Sequence, residues 1–352
     1  MGDSDEEIPM TQPKLCRRCV MPEAAPEITI DEEGICSLCR RYDKETAPGG
    51  AEKALETDFT RILAQHRGRH EYDCLVMCSG GKDSTASLYY MKTRYKTRPL
   101  AFTFDHGFET EDALANIKGA VEKLGVDFVL YRSSFMNDMF AKALTTGSKA
   151  VLCHLCSIWY MDVTFKMAAR FDIPMIIAGW TKGQSLRQPA MTKCACNITA
   201  PEFAKMAAAT KEFLDKHVRT DPKYADFPCS MEEVLARAQK RRKSLVLSPH
   251  WFLPFDAQEY TETIKKELGW DYPKSSYPAK STNCSLNFIS AHNSMKFYGY
   301  THYHVEMSKL IRDGLMTREE ALELLKQDFS EEMLNTIAAP LGCKADGTPL
   351  KK

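Results

Sequence analysis

The residues best able to do chemistry together lie in the loop Cys78 to Ser84, which we call the phosphate loop. Gly80 and Gly81 allow the backbone to come close to a phosphate, while the N–H groups of a following helix point at the same anion. The remaining side chains suit a phosphate because hydroxyls donate hydrogen bonds, an ammonium supplies a point charge and a carboxylate can hold Mg²⁺. These side chains belong to Ser79, Lys82, Asp83 and Ser84. We therefore predict a phosphate site, with a pattern that differs from the Walker A loop.

The cysteines form a second group of candidate residues, and the chain has 13 of them. Cys16 and Cys19 form one C-x-x-C pair, and Cys36 and Cys39 form another after sixteen further residues. This is the spacing of a four-thiolate zinc site, and a metal would supply the stability that so short a segment lacks. We predict a structural zinc ribbon over residues 14–45, without an open coordination position for chemistry.

A third C-x-x-C pair, Cys153 and Cys156, lies just before a predicted helix. With the distant Cys284, its thiolates could hold a [4Fe–4S] cluster with one open iron, or a zinc ion with an open position. The alternative is that the pair packs in the interior as small apolar side chains. Cys194 and Cys196 could join this site or form a redox pair.

The elements that position these residues follow from the hydrophobic pattern. Apolar strands alternate with amphipathic helices, which predicts an α/β fold with a parallel sheet and helices on both faces. Ligands bind such sheets at the carboxyl ends of the strands, where the phosphate loop and the turns at 105–107 and 179–185 fall. We predict strands at 72–78, 100–104, 126–131 and 174–179, and helices at 54–66, 85–91, 111–124, 136–145 and 157–171.

Length and composition set the outer limits. The 352 residues allow one large domain with appendages, or two domains, and the 47 basic and 47 acidic residues give no general attraction to nucleic acid or membranes. No apolar run reaches the roughly 20 residues that span a bilayer. Residues 1–13 are acidic and polar, so we predict a disordered leader and a cytoplasmic protein without a membrane partner.

The rest of the chain divides into a predicted ATP-binding core at 52–200 and a mostly helical substrate region at 201–352. The basic run at 236–243 could hold an RNA backbone or an anionic sugar nucleotide, or could be an ordinary solvated helix face. His302 and His304 would share one face of a strand, where they could bind substrate or metal or fill a structural role.

The phosphate loop resembles the SGGxDS loop of the PP-loop ATP pyrophosphatases. That resemblance implies that the chain binds ATP and Mg²⁺, cleaves ATP between its α- and β-phosphates, transfers AMP to a substrate oxygen and releases pyrophosphate. Some PP-loop tRNA thiolation enzymes also carry a [4Fe–4S] cluster on a C-x-x-C pair after the loop and one later cysteine. Cys153, Cys156 and Cys284 follow the same order.

In this fold the strand ends supply the candidate nucleotide contacts. Phe104 and Asp105 end the second strand, where adenine and ribose usually bind, although Asp105 could equally be a simple turn residue. Gly179 and Gln184 are candidates for contact with the α-phosphate or the adenylated substrate. Lys182, in the same turn, is a second candidate cation for developing negative charge.

Longer stretches look like the N-acetyl sugar amidotransferase family of surface-polysaccharide and pseudaminic-acid-type pathways. The matching stretches are 16–22, 31–39, 79–84, 283–287, 296–300 and 311–321. This resemblance implies a nucleotide-sugar substrate, an oxygen that ATP activates and nitrogen replaces, and ammonia from a separate glutaminase partner. The turn at 178–185 departs from the Trp-Gly-Glu type expected in that family.

We therefore expect an AMP-forming enzyme in which Lys82, Asp83 and Lys182 carry charge during adenylation. With nitrogen as the nucleophile, it would be a sugar amidotransferase. With sulfur, it would be a thiolation enzyme acting on tRNA or a small molecule, with the three later cysteines as persulfide carriers or cluster ligands. A third alternative is a zinc-ribbon nucleic-acid-binding protein whose phosphate loop is vestigial.

Overall fold

The computed structural model describes residues 14–24, 26–45, 51–187, 194–196, 199–241, 244–281 and 283–351, and the predicted leader lies outside them. The strands are β1 (Cys74–Met77), β2 (Pro99–Asp105), β3 (Asp127–Arg132), β4 (Met175–Ala178), β5 (Ser185–Arg187), β6 (Cys194–Cys196) and β7 (Leu245–Leu247). The helices are α1 (Ser37–Glu45), α2 (Ala51–His66), α3 (Lys82–Thr93), α4 (Glu111–Leu124), α5 (Phe135–Thr145), α6 (Leu152–Arg170), α7 (Ala204–Phe213), α8 (Met231–Arg241), α9 (Ala257–Leu268), α10 (Leu286–Tyr298), α11 (His302–Arg312), α12 (Arg318–Leu324) and α13 (Glu331–Ala338). None of the helices in these ranges is long and apolar enough to cross a membrane.

A five-stranded parallel sheet forms the centre of the fold, in the order β3-β2-β1-β4-β7. In β1, Val76 lies opposite Ala101 of β2 on one side and Ile177 of β4 on the other. Side chains alternate between two apolar cores, so that Leu75 packs into one core and Val76 into the other. Both faces of the central strands are covered, and the predicted α/β fold with helices on both faces is confirmed.

The fifth strand, β7, was not predicted, and it pairs with β4 from within the region that we expected to be mostly helical. Three residues are too few to show a strand period between helical segments. At the opposite edge, β3 keeps most of its side chains exposed or half-buried. Strands β5 and β6 form a separate antiparallel pair, and the side chains of Cys194 and Cys196 lie outside the described part of the chain.

Two of the helices that carry predicted site residues begin earlier than predicted. α3 begins at Lys82, so Lys82 and Asp83 belong to its first turn. α6 begins at Leu152, so Cys153 and Cys156 lie inside the helix rather than before it. Neither helix has a side-chain hydrogen bond at its N-cap, so the usual start signal is missing from the sequence.

The strand predicted around His302 and His304 is wrong, because both histidines lie in the first turn of α11. The Thr301 hydroxyl accepts a hydrogen bond from the backbone N–H of Tyr303 (3.1 Å) and caps the helix there. The end of α4 was predicted correctly: Gly125 follows it in a left-handed conformation, with a φ of 57°.

The N-terminal ribbon packs against the C-terminal helices. Arg318 of α12 donates from Nε to the carbonyl oxygen of Cys19 (3.0 Å) and from Nη2 to that of Cys16 (3.2 Å). The backbone N–H of Val20 donates to Oγ of Ser308 on α11 (3.3 Å). These contacts fix the ribbon to α11 and α12.

Candidate active site

The phosphate loop turns sharply between β1 and α3, at the carboxyl end of the parallel sheet. Gly80 has a φ of 77°, a left-handed conformation that favours glycine. The Ser84 hydroxyl accepts a hydrogen bond from the Ser79 N–H (3.1 Å) and lies 3.1 Å from Ser79 Oγ. Hydroxyl groups and the start of a helix therefore surround one small space, as an anion site requires.

Lys82 and Asp83 form an ion pair, with Lys82 Nζ 2.7 Å from Asp83 Oδ2. The hydroxyl of Tyr260 on α9 also donates to Asp83. Burial by itself would raise the pKa of Asp83, but nearby Lys82 and His250, together with the hydrogen bonds from Lys82 and Tyr260, outweigh it and hold that pKa below the usual value. Asp83 is therefore ionised, as a ligand for Mg²⁺ must be, and would share its oxygens between the ion and its present partners.

A cavity of about 210 Å³ opens beside the phosphate loop. The predicted site residues that line it are Ser79, Gly81, Asp83, Ser84, Gly179, Gln184 and Cys284. The other lining residues are Met77, Glu109, Tyr160, Trp180, Ser281, Asn283 and Tyr303. Residues from six separate parts of the chain thus meet around one small space, next to the proposed phosphate position.

Other predicted site residues lie outside the set that lines the cavity, namely Gly80, Lys82, Phe104, Asp105, Lys182, Cys153 and Cys156. The Asp105 carboxylate accepts a hydrogen bond from the Gly107 N–H (2.7 Å), as a turn residue does. The Phe104 ring stacks with the rings of Tyr131 and Tyr160, with centroids 6.0 Å apart in each case. Nucleotide contacts by Phe104 and Asp105 stay predictions.

The turn from Gly179 to Ser185, which we call the β4 turn, touches the phosphate loop directly. A Cβ atom on Gly179 would lie only 2.4 Å from the Cα of Ser84, so the close approach requires glycine. Gln184 accepts a hydrogen bond from the Thr181 N–H (3.2 Å) and donates one to Glu306 of α11 (3.2 Å). The shape of the β4 turn therefore depends on α11.

The three later cysteines lie near one another beside the cavity. Cys284 lines it, with Sγ 3.7 Å from His106 Nε2. Burial, with further contributions from Glu109 and the neighbouring thiols, raises the pKa of Cys156 and of Cys284 well above the usual value. Burial raises the pKa of Cys153 to about 11. All three are therefore neutral thiols at pH 7 in the absence of a metal.

Two groups that the sequence did not single out are Glu109, which lines the cavity, and the buried His106 beside it. Burial, together with the charge of Asp105, raises the pKa of Glu109 to about 8, while burial lowers the pKa of His106 to about 4. His106 Nε2 lies 3.3 Å from Glu109 Oε1. Both follow directly on β2, at the strand end where ligands were expected, and that position was the available signal.

The four ribbon cysteines meet as predicted, because their sulfur atoms all lie within 4.8 Å of one another and are fully buried. A tetrahedral zinc ion with bonds of about 2.3 Å would place its sulfurs roughly 3.8 Å apart. The sulfurs of Cys19 and Cys36 are 3.6 Å apart, and those of Cys16 and Cys39 are 4.0 Å apart. Among the described residues, no other group of three ligand atoms is so close.

One protein-family model, described as "Queuosine biosynthesis protein QueC", matches residues 73–165, from just before β1 through the phosphate loop into α6. Among curated proteins, the uncharacterized protein MJ1599 of Methanocaldococcus jannaschii is 26% identical over 167 residues. That alignment covers 47% of this chain and 58% of the relative. The chain thus spans less than two thirds of that relative's length.

Several solved structures are similar at low identity. The U34-tRNA thiolase NcsA of Methanococcus maripaludis with its [4Fe–4S] cluster is 15% identical with a TM-score of 0.35, over 90% of this chain and 89% of that one. NMN synthetase of Francisella tularensis is 9% identical with a TM-score of 0.40, over 79% and 92%. The NH3-dependent NAD synthetase of Campylobacter jejuni is 15% identical with a TM-score of 0.31, over 55% and 95%. Scores this low carry no argument about activity.

The loop pattern, its position between β1 and α3 and the matching family model all agree. Residues 73–165, which the family model matches and which contain β1, the phosphate loop and α3, are therefore similar to the PP-loop ATP pyrophosphatases.

Proposed function

We propose that the protein is an ATP-dependent, AMP- and pyrophosphate-forming enzyme that adenylates a substrate oxygen and replaces it with nitrogen. The acceptor that we propose is a nucleotide-activated N-acetyl sugar of surface-polysaccharide synthesis in the cytoplasm, with ammonia from a separate glutaminase. One observation carries this proposal: the phosphate loop at the carboxyl end of the sheet, with the β4 turn packed against it and a cavity beside both.

Each part of the site has a role in this proposal. The N–H groups of the first turn of α3 and the hydroxyls of Ser79 and Ser84 would hold the phosphates that leave as pyrophosphate. Lys82, held by Asp83, and Lys182 of the β4 turn would place positive charge near the phosphate groups as negative charge develops. Mg²⁺ on the Asp83 carboxylate would neutralise phosphate charge when bound.

Nitrogen as the nucleophile is supported by the long sequence resemblance to the sugar amidotransferases, which runs from the ribbon to α12. The resembling stretches lie close together in the fold, since Arg318 contacts the carbonyl oxygens of Cys16 and Cys19. We propose that the ribbon holds a structural Zn²⁺ on its four cysteines, because the sulfur separations fit a tetrahedral ion. This zinc would stabilise the ribbon and take no part in the reaction.

The test of the proposed chemistry compares Lys82→Ala and Asp83→Ala with Lys118→Ala, which removes an exposed lysine on α4. ATP binding is measured by calorimetry, and AMP formation is measured with ammonium and nucleotide-activated N-acetyl sugars. We expect both loop variants to lose AMP formation at least 100-fold and the control to match the wild type. Unchanged ATP binding and AMP formation in both loop variants would contradict the enzyme proposal and favour the alternative of a nucleic-acid-binding protein.

Sulfur is a second candidate for the nucleophile, and a specific observation favours it. Cys284 lines the cavity, and Cys153 and Cys156 lie close enough to it to contribute to raising its pKa. Three partly buried thiols are the donor type that an iron–sulfur cluster takes, and a cluster with one open iron could present sulfur. Under this candidate the acceptor is a tRNA or a small molecule.

Anaerobic purification separates the two candidates. A brown protein that contains iron and acid-labile sulfide, and that loses both in a Cys284→Ser variant, supports sulfur. A colourless protein that contains zinc alone, and that forms AMP only with ammonium and a nucleotide sugar, supports nitrogen. The matched control is Cys229→Ser, because Cys229 lies outside the cavity and donates to Glu233, as a serine hydroxyl there also can.

A further inference from the structure

Glu306 of α11 is a buried carboxylate whose two oxygens both face the β4 turn. The Thr181 hydroxyl donates to its Oε1 (3.0 Å), and the Gln184 amide donates to its Oε2 (3.2 Å). Its side chain also fills the space beside Gly183, where a Cβ atom would lie 2.7 Å from Glu306 Cγ. Glu306 is only 7% exposed, so these contacts replace water as the source of its hydrogen bonds.

The same helix is held from its other side by the ribbon. Ser308 accepts from the Val20 N–H, and Arg312 Nη1 lies 3.9 Å from the sulfur of Cys39. Lys309 donates to the carbonyl oxygen of Ser185 at the end of the β4 turn (3.1 Å). Thus α11 stands between the ribbon and the turn, and its hydrogen bonds fix the turn at both ends.

We propose that Glu306 is a positioning residue: it holds the β4 turn in the conformation in which Gly179 meets the phosphate loop and Gln184 lines the cavity, and so sets the affinity for ATP. This inference rests on the proposed function only in taking ATP as the ligand of the cavity. A carboxylate suits the task because two donors converge on it, and it alone offers an acceptor to each. A glutamine at position 306 has one acceptor oxygen, so the Thr181 hydroxyl and the Gln184 amide could not each donate to an oxygen of their own.

Electrostatics and positioning predict opposite results at this residue. Burial, with a contribution from nearby Asp83, raises the pKa of Glu306 to about 7, so above that pH Glu306 adds negative charge near Asp83 and the phosphate loop. If charge were its main effect, Glu306→Gln would bind the anionic ATP more tightly. If Glu306 positions the turn, Glu306→Gln binds ATP more weakly because one hydrogen bond is lost, and Glu306→Asp does so because the shorter side chain reaches neither donor well.

The experiment measures the dissociation constant of Mg·ATP by calorimetry for both variants, with Glu319→Gln, at an exposed site on α12, as the control. We expect roughly 10-fold weaker binding in both single variants and no change in the control.

A second-site variant tests the mechanism. The double variant combines Glu306→Gln with Gln184→Glu. The amide now at position 306 can donate to the carboxylate now at position 184. That carboxylate can still accept from the Thr181 N–H. The double variant should bind ATP more tightly than either single variant.

Tighter binding in Glu306→Gln, or wild-type binding in both single variants, would overturn the inference. A double variant that binds no better than the weaker single variant, with all proteins folded by circular dichroism, would overturn it as well. Failure of the wild type to bind ATP at all would instead contradict the proposed function. Because the readout is binding, the result does not depend on which nucleophile the enzyme uses.

Discussion

At the scale of single residues, the site is unusual for a phosphate site because its cavity is lined by two acids, Asp83 and Glu109. Lys82 neutralises Asp83, whereas Glu109 has the neutral ring of His106 close to one oxygen. Glu109 also faces Asp105 on its own segment, Cys156 and Tyr160 on α6, and Cys284 before α10. None of these groups supplies a positive charge at pH 7, so Glu109 keeps its proton.

This leads to a prediction about pH and stability. The pKa of Glu109 is about 8 in the folded protein against 4.5 for an ordinary glutamate. Between these two values the unfolded chain has lost a proton that the folded chain still holds. The free energy of unfolding therefore falls with rising pH, by up to about 1.4 kcal/mol for each pH unit. We expect Glu109→Gln to remove that slope. The free energy of unfolding of the variant, compared with that of the wild type, should therefore rise between pH 4.5 and pH 8 and then level off.

Urea unfolding at a series of pH values checks the prediction. The control is Glu122→Gln, at an exposed position on α4, which should leave the slope as it is. If Glu109→Gln shows the same pH slope as the wild type, then Glu109 is not the buried neutral acid described above.

Some of the site residues, but not their partners, could be predicted from the sequence. The composition of the phosphate loop predicts an anion site, and the structure brings the hydroxyls of Ser79 and Ser84 to within 3.1 Å of each other. The partners of Asp83 were not predictable, because Tyr260 lies 177 residues further along the chain. Glu306 could not be predicted either, because the groups that donate to it, on Thr181 and Gln184, lie more than 120 residues away in the sequence.

At the scale of elements, the phosphate loop is shaped by the helix that packs over it. Gly80 takes a positive φ of 77°, and a Cβ atom there would lie 2.3 Å from the carbonyl oxygen of Ala113 on α4. A side chain at this position would push the loop away from α4 and so displace the groups that we propose to hold phosphate. Gly119, on α4 itself, has nothing within 4 Å of the corresponding position.

These two glycines make a matched pair for a test. Gly80→Ala should destabilise the fold by about 1–2 kcal/mol through the left-handed conformation alone, with further loss from the clash, and should weaken ATP binding. Gly119→Ala should stabilise the protein by about 0.5–1 kcal/mol, because alanine is favoured inside a helix. Thermal unfolding and ATP calorimetry on both variants provide the measurement. Equal effects of the two changes on ATP binding would contradict this account of the loop.

Helices and strands were predictable where a segment was long enough to show its hydrophobic period. The four predicted strands and the alternating helices of the core appear in the structure, as does the left-handed glycine after α4. β7 was missed because a strand of three residues has almost no period of its own. The strand predicted at His302 was wrong because the capping role of Thr301 competes with an aromatic-rich, strand-like pattern.

At the scale of the whole molecule, the ribbon is part of the structure that holds the site. It contacts α11 and α12, and α11 in turn holds the β4 turn through Glu306. The sequence predicted the ribbon's four cysteines but not what the ribbon packs against. Such contacts between distant segments leave no local pattern in a single sequence.

The ribbon should therefore stabilise regions far from its own residues. In Cys36→Ser the proposed zinc site loses one of four ligands, so we expect no bound zinc and a lower melting temperature than in Cys229→Ser. We also expect weaker ATP binding, since α11 loses its support. Zinc analysis, thermal unfolding and ATP calorimetry on the two variants test this. A Cys36→Ser protein with wild-type stability would show that the ribbon is not needed for the fold.

The contacts between the ribbon and α11 and α12 also bear on how the chain is made. Val20 and Ser308 are 288 residues apart, and Cys16 and Arg318 are 302 residues apart. At a synthesis rate of 5–20 residues per second, the ribbon would wait roughly 15–60 s on the ribosome before its partners are made. During that time its metal site would be the main source of its order, and its apolar face would be open to chaperones. Zinc supply during translation would then influence how much of the enzyme matures.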